Sequence, residues 1–316
     1  MYYCKVCGNT VKSTDMFCDK CGTVLNEQTM ADMYEMSKIK SPVEDGQFSP
    51  DSCITKHNIS GAIMFDYRLT NKECSLLGWD YYKATKLENN QMVTMTVAHM
   101  IITKDMFYDL CYLNMSLNEE TTTKLLKDYV LNIVQSQTDF SNRCNSMGIT
   151  PLVKDTKYLK SELYETYHIF MLLEDALPLV EYYSKNKLST KDIAQIGLNI
   201  VNTSMVLGVP VNKDNTLNDT NVFINDKREV FFLKSLNDIY TKYFIITPHT
   251  VYNKIFESPY NKNRLMYSIG VILYRMLNHG KNMFQDENFE NKSYYKMELL
   301  KQKKSYLKGR YLCNVF

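Results

Sequence analysis

Four cysteines near the amino terminus have the spacing of a metal site. Two residues separate Cys4 from Cys7 and Cys18 from Cys21, and ten residues lie between the pairs. Thiolates at this spacing can grip one ion from a tight knuckle. The glycine after each pair, Gly8 and Gly22, lets backbone amides turn towards sulfur with no side chain in the way. Two knuckles make a closed tetrahedral site of the kind that holds structural zinc. Four thiolates leave no open position, so a catalytic metal is not expected. Disulfides or a redox C-x-x-C would use the same residues. The duplicated knuckle argues against the redox pair. An amino terminus that opens directly into cysteines, with no signal peptide, argues against disulfides. The expectation is a structural Zn2+ held by Cys4, Cys7, Cys18 and Cys21. Binding of nucleic acid is not expected, because only Lys5, Lys12 and Lys20 are basic here, against Asp15 and Asp19.

The second constellation is Lys213 to Leu236, KDNTLNDTNVFINDKREVFFLKSL. Asn221 to Ile224 and Glu229 to Leu233 are short apolar runs of strand type, and Asn225-Asp226-Lys227-Arg228 is a polar turn between them. The frame resembles the catalytic and metal-binding loops of the protein kinase family, H-R-D-x-x-x-x-N, two strands, then D-F-G. By that resemblance Asn221 stands at the metal-binding asparagine. Asp214-Asn215-Thr216 replaces H-R-D, so Thr216 stands for the catalytic aspartate. Lys234-Ser235-Leu236 replaces D-F-G, so Lys234 stands for the magnesium-holding aspartate. The amino-terminal cysteine segment likewise resembles the short zinc ribbons of bacterial multidomain proteins.

The elements that would position these residues follow in the family's order. Tyr67 to Ala84, YRLTNKECSLLGWDYYKA, aligns with the opening strands, and the three glycine positions fall on Cys74, Leu76 and Trp79; Gly78 is one place early. Side chains at those points would fill the space in which backbone amides meet phosphate. Asn89-Asn90 predicts a hairpin turn before the strand Gln91 to Ala98. The family's V-A-I-K maps on Val93 to Thr96, so Thr96 replaces the lysine. His99 is three residues off and points to the other face, where an edge or surface histidine is expected. Thr121 to Asn142 fits the C-helix, with no acid at Gln135 to Gln137. Tyr167 to Leu173 is a buried strand leading to a hinge at Glu174-Asp175, with Met171 as gatekeeper. Leu179 to Tyr183 and Asp192 to Leu207 read as helices, the second started by Ser189-Thr190 and Asp192. Further on, Thr247-Pro248-His249 replaces A-P-E. Leu265 to Leu277, LMYSIGVILYRML, resembles the helix D-x-W-S-x-G-x-x-L-Y, with Leu265 for its aspartate. Phe284 matches the P-F that follows. The stretch beyond it is too short for the family's late helices, and Lys301 to Arg310 reads as a solvated helix face.

The expected fold class is α+β: a two-lobed protein kinase-like fold over residues 61–316, with an antiparallel sheet plus helix, then a mostly helical lobe abbreviated at its end. A zinc ribbon (1–25) and a linker (26–60) precede it. Within the linker, Asn26 to Lys40 reads as a short helix. The nucleotide cleft would be degenerate at Cys74, Leu76, Trp79, Thr96, Met171, Thr216, Asn221 and Lys234. The resemblance therefore implies a pseudokinase, a binding, scaffold or regulatory module working through protein partners, without Mg-ATP. The alternative is a divergent serine/threonine kinase or ATP-dependent transferase. With 37 basic and 35 acidic residues, bulk electrostatic attraction to nucleic acid or membrane is not expected. No apolar run reaches a membrane span, and a soluble cytoplasmic protein is the expectation.

Overall fold

The computed structural model describes residues 2–3, 10–11, 43–53, 58–110, 119–208, 217–243, 256 and 264–280. The four knuckle cysteines, the segments 26–40 and 214–216, Thr247-Pro248-His249, Phe284 and Lys301 to Arg310 lie outside the described residues. At the amino terminus β1 (Tyr2–Tyr3) and β2 (Thr10–Val11) pair antiparallel, Tyr2 against Val11. Next come β3 (Val43–Glu44) and β4 (Gln47–Phe48), joined through Asp45-Gly46, with both residues at positive φ. This is the two-residue turn that Asp-Gly favours.

The centre of the chain is a curled antiparallel sheet. Its strands are β5 (Ile63–Met64), β6 (Tyr67–Leu76), β7 (Trp79–Glu88), β8 (Gln91–Thr103), β9 (Val153–Ser161) and β10 (Thr166–Leu173), in the spatial order β5-β6-β7-β8-β10-β9. Asn89 and Asn90, with φ of 50° and 62°, close the β7–β8 hairpin as the sequence predicts. Between β8 and β9 the chain forms α1 (Lys104–Leu110) and the long α2 (Glu119–Ser146), which lies on one face of the sheet. The strand period of two separates two cores. On the α2 side, Trp79, Tyr81, Ala98, Met100, Ile169 and Met171 pack with Leu126, Tyr129, Val130 and Ile133. On the other side, Leu69, Tyr82, Val97, Ile101, Phe170 and Leu172 pack beneath Phe48, Cys53 and Ile59. Residues 43–53, read as part of a linker, are therefore folded against the sheet. Both faces being covered, all eight residues of β10 are buried.

Beyond β10, β11 (Leu177–Pro178) runs into α3 (Leu179–Lys185) and α4 (Thr190–Leu207). Ser189 caps α4 reciprocally with Asp192, and Gly208 ends it in the left-handed conformation, as a helix stop of this kind requires. The hairpin β12 (Val222–Ile224) and β13 (Val230–Phe232) pairs with β11 in a three-stranded sheet. Next follow α5 (Asn237–Tyr243) and α6 (Arg264–Leu277). This half has its own core of Leu179, Ile193, Ile196, Ile200, Val222, Phe232, Ile269, Ile272 and Met276. Gly197 lets α6 approach α4 closely, since a Cβ there would lie 2.7 Å from a Leu273 methyl. The described chain is thus of the α+β class. None of its described helices is long and apolar enough to cross a membrane.

Candidate functional site

The expected cleft residues come from two directions. Leu76 and Trp79 flank the β6–β7 turn, Leu77-Gly78, and Leu76 pairs with Trp79 across it. Asn221 precedes β12 and Lys234 follows β13, and the amide of Leu233 donates to the carbonyl of Asn221 at 2.8 Å, which ties the two loops together. These four residues line one cavity, with Leu77, Tyr81, Asn218, Thr220, Leu233, Ser235 and Leu236.

Cys74, Thr96 and Met171 do not line the cavity. Cys74 is the strand partner of Tyr81, and burial, followed by the charge of Glu181, pushes its thiol up to about 12. It is therefore a poor nucleophile near neutral pH. The Thr96 hydroxyl donates to the carbonyl of Ala176 at 3.1 Å. It pins the segment after β10 to the sheet. Met171 is fully buried in the core on the α2 side of the sheet. Thr216 lies outside the described residues.

The cavity is nearly filled. It measures about 30 Å³, room for about one water, against the several hundred cubic ångströms typical of a small-molecule site. The cause is side-chain packing between the upper sheet and the lower hairpin. Tyr81 of β7 and Phe223 of β12 meet at 5.8 Å between ring centroids, both fully enclosed. Burial holds the Tyr81 phenol far above its ordinary pKa, so it remains neutral. Trp79 adds the largest side chain of the lining and is itself 2% exposed.

The polar groups are engaged within the loop. Asn221 Oδ1 accepts from the amide of Asn218 at 2.9 Å. Asn218 Oδ1 in turn accepts from the amides of Thr220 and Asn221 and from the Thr220 hydroxyl. The carboxamide oxygen that could face a metal thus caps a turn instead. Lys234 Nζ donates to Ser136 Oγ at 2.8 Å and pairs with Asp238 at 3.3 Å. Its carbonyl accepts from Gln137 of α2 at 2.9 Å. Among the described residues that line the cavity none is a carboxylate, and hard divalent cations are held through such oxygens.

Beneath the loop lies a buried ion pair that sequence reasoning did not reach. Asp219 Oδ2 accepts from Arg275 Nε at 2.8 Å and from the Tyr183 hydroxyl at 2.6 Å. The two charged side chains are 0% and 7% exposed. The signal was present as an arginine on the buried face of α6, beside Ile272 and Met276, where a charge demands a partner. His99 also departs from expectation. It faces away from Thr96 as the strand period requires, yet it is 1% exposed, because residues 43–53 cover that face.

No family model and no curated protein matches this chain.

Proposed function

We propose that this chain is a degenerate protein kinase-like module, a pseudokinase that binds partners and does not transfer phosphate. The observation that carries the proposal is the filled cleft. Leu76, Trp79, Asn221 and Lys234 line one cavity of about 30 Å³, which Tyr81 also lines with its ring against Phe223. The order of the described elements is compatible with the kinase-like part of the reading: four strands, a short and a long helix, two strands, a short strand, two helices, a hairpin and two later helices. Phosphoryl transfer requires positioned phosphates, metal ligands and an acid that orients the acceptor. Gly-rich backbone, lysine and aspartate are replaced by Leu76 and Trp79, Thr96 and Lys234. The cation at Lys234 opposes a magnesium ion at the same place.

The amino-terminal segment is proposed to hold structural zinc and to serve as a second interaction unit. The antiparallel pairing of β1 with β2, on either side of the first knuckle in the sequence, supports this. The free thiols of half-buried Cys74 and buried Cys144 fit a reducing, cytoplasmic location. The competing reading, a divergent kinase or ATP-dependent transferase, would need the cleft to open by about the volume of a nucleotide.

The test is turnover. Purified protein incubated with Mg-ATP for days should release no phosphate and label neither itself nor generic acceptors above the rate in buffer. Turnover that Asn221→Ala or Lys234→Ala abolishes would establish the transferase reading.

A further inference from the structure

The segment ahead of the sheet is fastened over a histidine pair that the cleft does not use. β3, β4 and the short 3-10 turn Pro50–Ser52 cross the outer face of the sheet, where Phe48 is their plug. Its ring stands edge-on to His168 at 5.1 Å, to Phe170 at 5.4 Å and to His99 at 6.0 Å. His99 on β8 and His168 on β10 are 1% and 0% exposed. Their rings lie within 8° of parallel, and one hydrogen bond of 3.1 Å joins His99 Nε2 to His168 Nδ1. The second ring nitrogen of His168, Nε2, is buried without a hydrogen-bond partner, although the carbonyls of Pro50 and Cys53 face the ring.

That bond needs a single proton, which two neutral imidazoles supply. A first added proton places a charge beneath Phe48, and a second sets two donors and two like charges against each other. At His168 burial outweighs what favours a cation there, the carbonyls of Pro50 and Cys53 and the charge of Asp51. From β7, Asp80 stands opposite His99, but its carboxylate is engaged by Lys72 of β6 at 2.8 Å and by Ser75 at 2.6 Å. The Lys72 ammonium itself disfavours a cation at His99. From β9, Leu159 is the partner of His168, and the Lys157 ammonium lies over the Phe65 ring. From the covering segment, Asp51 is drawn away to Ser161 Oγ at 2.6 Å and to the amide of Leu163. Cys53 is buried in the same core.

We propose that Val43–Cys53 is a proton-released strap, held closed by the neutral His99–His168 pair and freed from the sheet when that pair is protonated. Release would uncouple the preceding segment, with its four cysteines, from the body. It would also bare the apolar face of Phe170, Tyr82 and Ile101. The direction follows from linkage. Burial lowers both imidazoles, His99 well below the usual 6.5 and His168 to about 4. The closed strap therefore binds fewer protons than the open one. Its stability is complete above about 6.5 and is lost as pH falls towards about 4. Asp51 is held below the ordinary carboxylate range by its bond to Ser161, so its contacts persist through that window.

Hydrogen exchange on the full chain at pH 7.5 and 5.0, corrected for intrinsic rates, reads the strap directly. The reporters are the amides of Ser52 and Cys53, bonded to the carbonyls of Ser49 and Pro50, and of Ile63, bonded to that of Gly46. For His168 alone the protection of these amides should fall about 30-fold between the two pH values. Amides at the centre of β7 and β8 should change little. In the His99→Gln/His168→Gln double variant the fall should disappear. Phe48→Leu, a milder change, should lower strap protection at both pH values and keep the pH dependence. Constant strap protection in the unsubstituted chain would overturn the proposal. So would an equal fall in the double variant, loss of the fall in Asp51→Asn alone, or a fall of the same size throughout the sheet.

Discussion

Replacing Arg275 with methionine should cost about 3–5 kcal/mol of stability, the penalty for stranding a buried charge. Asp219 has no exposed side-chain surface, and Arg275 Nε is its cationic partner at 2.8 Å. The Tyr183 hydroxyl, bonded to the same oxygen, cannot neutralise a carboxylate. The melting temperature should drop by roughly 10 °C or more for a folded unit of this size. The double variant Asp219→Leu/Arg275→Met should recover much of the loss, because a matched apolar pair carries no desolvation penalty. Denaturant melts of the two single variants and the double one decide this. A loss below about 1 kcal/mol for Arg275→Met would show the pair to be dispensable. The pair bears on function because Asp219 lies within the Asn218–Asn221 turn, so α6 holds the floor of the cleft through it.

Removing the metal should have the other large effect. A four-thiolate zinc site can supply on the order of 10 kcal/mol of folding free energy. Metal analysis of purified protein should find about one zinc per chain, and Cys18→Ser should abolish it. A chelator should unfold the amino-terminal segment and leave the body folded, since the sheet and the helical half have cores of their own. Full zinc content in Cys18→Ser would remove the assignment.

What could be read from the sequence was what local chemistry encodes. The strand run from Gln91, the apolar run of β10, the Asn89-Asn90 turn and the Ser189–Asp192 cap each depend on neighbours within a few residues. Contacts between distant segments were not legible. Nothing near His99 reveals that Phe48 will cover it, because β3 and β4 are two residues each and have no periodicity to read. The pairing of Tyr81 with Phe223 likewise depends on how the hairpin docks beneath the sheet. Arg275 is intermediate: its position on an apolar face announced a buried charge, but the partner could be any acid the fold brought near. Thr96 shows the converse. A residue read as a missing lysine has a positive task, holding the Ala176 carbonyl.

The central claim is that the cleft admits no magnesium-bound nucleotide, and calorimetric titration tests it most directly. ATP should be titrated into the full chain with magnesium and again with the metal chelated. The predicted result is no binding heat at millimolar nucleotide in the presence of magnesium, because Trp79 and Tyr81 leave only about 30 Å³ in the cavity and Lys234 brings a positive charge to its lining. A saturable, magnesium-dependent isotherm would contradict it.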